Sequence, residues 1–260
     1  MRSKLGLLAA LALTAAAAGA AVAQKAANEG YLPGPAAPDT LRVLPPAPQP
    51  GSARDETDRK VFLETRALKD TPRWSLAQAD VDERVLKDFT CALGVELTAA
   101  NAPRLTALMT RMRRDVRHAV DTPKNAYKRQ RPYLIDDGAI CVPKSDDLAK
   151  SPDYPSGHTT WGWTAGLVLA ELAPDKASDV LVRARAYGES RLVCGVHNLS
   201  AVEAGRTNAS IVVAALHGSK RFRDDLDAAR REVAKARKAS PAPDAATCAR
   251  EAELVANSPY

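Results

Sequence analysis

Residues 103–127 read PRLTALMTRMRRDVRHAVDTPKNAY, and this stretch decides the fold class. Leu105, Leu108, Met109, Met112, Val116, Ala119 and Val120 recur three and four apart, the period of a helix with one buried face. Pro103 suits a first helical turn, where its missing N–H costs nothing, and Pro132 marks the stop. The stripe runs on to Lys124, four residues after Val120. A lysine in line with a buried face either snorkels from the helix end or carries its charge into a pocket, and the helix alone leaves both readings open. Working outward, the same pattern predicts helices over 56–69, 80–92, 157–172, 175–193, 197–217 and 219–238, with a long loop over 131–155. Aromatic residues are only 5% of the chain, and no alternating run of β-branched residues bounded by turn signals occurs. The expectation is an all-α fold: a single compact multi-helix domain.

The ends carry different signals. Arg2 and Lys4 precede an apolar run from Leu5 to Ala20, followed by Ala21-Val22-Ala23, the small-x-small form of a signal peptidase site. The run is too short for a membrane span, and no later stretch is apolar for long enough to be one. The expected layout is a signal peptide over 1–23, an extended Pro-rich segment over 24–55, a helical domain over 56–240 and a C-terminal tail over 241–260, with the product periplasmic or secreted. Seven of the 18 prolines fall between Tyr31 and Pro50, which motivates the extended segment.

A net charge of +6 fits an anionic small substrate at least as well as a nucleic acid. The basic residues of 219–238 alternate with Asp224, Asp225 and Asp227, so that helix reads as a solvated face and no nucleic-acid partner is expected. Four cysteines, Cys91, Cys141, Cys194 and Cys248, match no zinc spacing. In an oxidising compartment two disulfides, or one disulfide and two buried thiols, are both compatible with them. Of the three pairings, Cys91 with Cys248 is preferred because it would tie the terminal helix to the body.

Two further elements carry chemistry. Arg191 follows Ala184, Tyr187 and Gly188 by seven, four and three residues and so falls on an inward face, where a guanidinium needs an anion or several acceptors. Tyr154-Pro155-Ser156-Gly157-His158 places a good N-cap at Ser156 and unpaired amides at a helix start, a ready phosphate site. It lacks the G-x-S-x-G elbow of a serine hydrolase.

In order along the chain stand Lys124-x6-Arg131-Pro132, Pro155-Ser156-Gly157-His158 and Ser190-Arg191-x5-His197. This triple resembles the signature of the type-2 phosphatidic acid phosphatase and vanadium haloperoxidase superfamily. The Pro-rich start, with Tyr31-Leu32-Pro33 and Leu44-Pro45-Pro46, is similar to that of the class A bacterial non-specific acid phosphatases. The resemblance implies hydrolysis of phosphate monoesters with broad specificity, and inorganic phosphate as the other partner. It implies Lys124, Arg131, Ser156, Gly157 and Arg191 around the phosphoryl oxygens, His197 as nucleophile and His158 as general acid and base. It implies no metal and no cofactor. Such a cradle suits the chemistry, because phosphoryl transfer spreads charge over three equatorial oxygens that fixed donors must meet.

One position departs from the family pattern, which places an aspartate four residues after the nucleophilic histidine. Here that residue is Ala201. Glu203 lies roughly 120° around the helix from His197 and is a poor substitute. The expectation is attenuated activity, or an orienting carboxylate or carbonyl from elsewhere. A catalytically degenerate phosphate-binding protein and a vanadate-dependent haloperoxidase are the alternatives. His118 and His217 are expected outside the site, and the oligomeric state stays open, a homo-oligomer included.

Overall fold

The computed structural model describes residues 29–260. The expected signal peptide lies outside the described residues. Among those described there is no strand, and the all-α expectation holds. The longer helices are α1 (Ala53–Thr65), α2 (Pro72–Ala79), α3 (Pro103–Tyr127), α4 (Gly157–Leu172), α5 (Ala177–Val193), α6 (Leu199–Gly218), α7 (Lys220–Ala239) and α8 (Ala245–Ala256). None is long and apolar enough to cross a membrane.

Helix α3 buries the stripe read from its sequence, Lys124 included, with Asp115 and Pro123 added to it. Helix α4 is apolar around most of its circumference, and α3, α5 and α6 all pack on it. Small residues let α4 and α5 approach closely. A Cβ on Gly162 would lie 2.2 Å from the Tyr187 ring, and one on Gly166 would lie 2.5 Å from the Ala184 Cβ. The main core joins Leu105, Met112, Leu169, Leu216, Phe222 and Val233, so one apolar body carries α3, α4, α6 and α7. Each such fully buried side chain contributes roughly 1.5–3 kcal/mol relative to exposure.

One sequence expectation needs correction. Residues 80–92 are not one helix but a 3-10 turn at Asp80–Asp82 and two single turns, Val85–Asp88 and Thr90–Leu93. Glu83, with φ +54, breaks the run in the left-handed region. In the described part of the Pro-rich segment, Thr40–Val43 forms a helical turn capped by Asp39, and α1 begins at Ala53, capped by Ser52. Within residues 241–260, α8 docks on α5. The physical reason is tertiary. Arg185 on α5 donates to the Val255 carbonyl at 2.6 Å, and Cys91 forms a disulfide with Cys248.

A second disulfide joins Cys141 to Cys194. It pins the loop before α4 to the turn after α5, where Gly195 takes φ +75. Arg66 braces the same turn by donating to the carbonyls of Leu192 and Val193 at 2.6 and 2.9 Å. That turn separates Arg191 from His197, so the scaffold spends two constraints on holding it.

Candidate active site

One cavity is lined by Lys124, Arg131, Gly157, His158, Arg191 and His197, together with Glu83, Arg113, Val116 and Trp161. The last turn of α3 delivers Lys124, and the loop that follows delivers Arg131. The first turn of α4 delivers Gly157 and His158, the last turn of α5 delivers Arg191, and the braced turn delivers His197. Six of the seven residues singled out in the sequence therefore share one wall. Ser156 is the exception. Fully buried behind Gly157, it accepts from the Thr159 amide at 3.2 Å as the N-cap of α4, a contact of about 1 kcal/mol.

Three cations stand together in this cavity with little solvent: Lys124 is 9% exposed, Arg131 5% and Arg191 7%. Burying like charges is costly unless an anion joins them. Arg131 is braced by the Ser151 and Val196 carbonyls, both at 2.7 Å. Arg191 keeps Nε and Nη1 without a protein partner, as does His158 at Nε2. The Lys124 ammonium meets the Pro152 carbonyl, which settles the snorkelling question in favour of the pocket. Burial and the neighbouring Arg131 bring the lysine down to about 7, against the pull of Asp153 and Asp121. Burial and Arg131 likewise bring Arg191 down to about 10.

The two histidines are held differently. His197 is buried, and its Nδ1 stands 2.9 Å from Asp153 Oδ1 while Nε2 lies 3.2 Å from Arg131 Nη1. Burial, then Arg131, Lys124 and Arg191, push its imidazole well below the usual range, so at rest it is neutral. With Nδ1 carrying the proton toward the carboxylate, the lone pair is on Nε2. His158 turns Nδ1 to Glu83 Oε1 at 3.0 Å and lies flat on the Tyr187 ring, 4.5 Å between centroids. Burial and Arg191 lower it to about 4, against the opposing pull of Glu83. Burial alone would raise Glu83, but His158 and Arg113 hold it at about 2.

Ala201 is fully buried among Leu44, Ala47 and Tyr154, and its carbonyl accepts from the Ser156 amide at 2.9 Å. Glu203 faces solvent and pairs with Arg54 at 3.3 Å, as its angular position implied. His217 pairs with Glu171 at 3.2 Å, and neither it nor His118 lines the cavity. The basic face of α7 is paired too, as in Lys220–Asp224 at 2.7 Å and Arg237–Asp175 at 2.6 Å.

Sequence reasoning missed Asp153, Glu83 and Tyr187. Asp153 had one available signal, a lone carboxylate five residues before His158 in a chain that lacks the expected one at 201. Glu83 had none, since it sits where a continuous helix was expected.

The chain is similar in sequence to known proteins. Residues 106–223 match the model of the PAP2 superfamily. The chain is 44% identical over 214 residues to an acid phosphatase of Zymomonas mobilis, covering 81% of each chain. It is 38% identical over 213 residues to a non-specific acid phosphatase of Providencia stuartii, covering 80% of this chain and 86% of that one. A non-specific acid phosphatase of Salmonella typhimurium is 30% identical over 195 residues, 73% of this chain and 78% of the relative. A cradle of buried cations at the start of a helix, on an all-α frame with relatives of this identity and coverage, makes the chain a member of the bacterial non-specific acid phosphatase group within the PAP2 superfamily.

Proposed function

We propose that the protein is an exported acid phosphatase that hydrolyses phosphate monoesters of varied leaving group, without a metal, through a phosphohistidine at His197. The observation that carries this reading is the convergence of Lys124, Arg131 and Arg191 with two histidines in one buried cavity. The non-bridging oxygens of the ester meet the three cations and the Gly157 amide at the positive end of α4. Ser156 supports that helix start from behind.

His197 Nε2 attacks phosphorus. The N–P bond forms as the bond to the leaving oxygen breaks, and His158 Nε2 gives that oxygen its proton. Water then attacks the phosphohistidine, His158 takes a proton from it, and the N–P bond breaks to release phosphate. Nδ1 of His158 faces Glu83, which leaves Nε2 as the nitrogen that exchanges the proton. Transfer of the phosphoryl group to an alcohol in place of water is a side reaction of the same intermediate.

An acidic working range follows from the same groups. Lys124 is fully charged only below about 7, and His158 holds its proton in the free protein only below about 4. A bound phosphate dianion raises both, since opposite charge favours the protonated form. Two cysteine pairs and the leader-like sequence pattern of residues 1–23 support export.

The test is hydrolysis of p-nitrophenyl phosphate by residues 24–260 with a chelator present, over roughly pH 4–8. Turnover that His197→Ala lowers by about 10⁴-fold or more supports the reading. Tight phosphate binding with no turnover at high protein concentration would make the chain a binder, the reading Ala201 favours. Bromide oxidation with added vanadate would instead support a haloperoxidase.

A further inference from the structure

The family pattern requires a carboxylate at 201, and the chain has none there. Asp153, which nothing in the family pattern assigns, is the acidic side chain in contact with the His197 ring. It is completely buried and lies in the loop ahead of α4, and each of its oxygens meets two donors. Oδ1 accepts from His197 Nδ1 at 2.9 Å and from the Asn198 amide at 3.1 Å. Oδ2 accepts from Asn198 Nδ2 at 2.9 Å and from Arg129 Nη1 at 3.3 Å. Arg131 Nη1 can only donate to His197 Nε2, which places the ring proton on Nδ1; all four contacts on Asp153 are then donors, an arrangement that suits the ionised carboxylate.

Burial leaves Asp153 raised above the ordinary carboxylate range even with Arg129, Asn198 and Arg131 opposing the rise, so the charge depends on its hydrogen-bond partners being held in place. The compensation is built from α1. Arg129 Nη2 lies 2.9 Å from both Asp55 and Asp58, and Asp58 in turn accepts the Ser200 amide at 2.7 Å. The first amides of α6 therefore fall on two carboxylates, at the end of the helix where negative charge is favoured. Position 201 meanwhile is used otherwise. Its Cβ fills an apolar cluster under Tyr154, and its carbonyl holds the Ser156 amide.

We propose that Asp153 is the positioning residue for His197: it fixes the Nδ1–H tautomer and the ring orientation from the loop before α4, replacing a carboxylate one turn into α6. Arg129, held by Asp55 and Asp58, keeps it ionised. This rests on His197 being the nucleophile. The loss at 201 is then compensated, and the natural chain is not attenuated on that account.

The test is Asp153→Asn, read as kcat and KM for p-nitrophenyl phosphate and as the inhibition constant of inorganic phosphate. Whichever way the amide turns, its NH₂ meets donors and the negative charge beside Nδ1 is gone, so the hold on the Nδ1–H tautomer and ring orientation weakens while the cationic cradle remains. Expected is a fall in kcat of about 10²–10⁴-fold, by analogy with loss of an orienting aspartate in serine proteases, with KM and phosphate inhibition within about threefold. Ala201→Asp in the natural chain is expected to give no gain.

Should the variant fail to fold, ¹⁵N NMR of the natural protein reads the tautomer directly. Nδ1 protonated and Nε2 bare at His197 supports the proposal, and the opposite tautomer overturns it. If His197→Ala abolishes turnover while Asp153→Asn leaves kcat within about twofold, or if Ala201→Asp raises kcat about tenfold, the proposal fails and the phosphatase reading stands. If His197→Ala leaves turnover intact, the reading itself fails.

Discussion

The two histidines of the cavity sit in opposite kinds of surroundings. His197 and Asp153 form a sealed corner, with every carboxylate lone pair engaged and a charge network reaching back to α1. His158 and Glu83 form a corner open to the rim, where Glu83 is 29% exposed at its side chain and sits on a left-handed break rather than a helix. The difference suits the roles proposed for the two rings. A nucleophile needs one tautomer and one direction for in-line attack, so immobility helps. An acid that later becomes a base must lose and regain a proton within each turnover, so its partner must tolerate both charge states.

The comparison can be broken most sharply by removing the rings themselves. His197→Ala is expected to abolish turnover for every ester, whereas His158→Ala should cost about 10²–10⁴-fold for alkyl phosphates and markedly less for p-nitrophenyl phosphate, whose leaving group needs little protonation. Equal losses for good and poor leaving groups in His158→Ala would remove the acid role. Steady-state rates on a leaving-group series measure it.

Next in size is Glu83→Gln, with an expected loss of about tenfold at the acidic optimum. The sign of its pH effect is specific. Glu83 pulls the His158 pKa upward against burial and Arg191, so removing its charge lowers that pKa further. The protonated acid is then lost at lower pH, and the alkaline limb of the alkyl-phosphate profile should move toward acid. A limb that moves the other way would show that Glu83 does not act through His158.

The smallest expected effect sharpens the shared floor of both corners. Lys124 loses its proton near 7 in the free protein, and the charged form binds anions better. Phosphate should therefore inhibit several-fold more weakly at about pH 8 than at about pH 6, after correction for the ionisation of phosphate itself. Lys124→Gln should flatten that dependence, and calorimetry reads it without any need for turnover.

The helices that carry the site were legible because helical period and cap chemistry are local. The Val116, Val120, Lys124 stripe, the Ser156 cap and the inward face of Arg191 each depend on neighbours within about two turns. The resemblance added roles to those positions, and the structure brings Lys124, Arg131, Gly157, His158, Arg191 and His197 to one wall. The break at Glu83 was not legible, because a helix-compatible run gave way to tertiary contacts with Arg113 and His158. The docking of α8 was hidden for the same reason, although the preference for Cys91 with Cys248 pointed toward it.

By itself, then, the sequence determined an all-α chain with a cationic, two-histidine anion site, and it exposed the empty position at 201. Only the tertiary structure decided what stands beside His197. Asp153 and His197 are 44 residues apart, joined through a loop, the two helices α4 and α5 and a braced turn. Which carboxylate reaches an imidazole across that distance depends on the path of the loop and on the burial that makes the contact strong, and no local spacing encodes either.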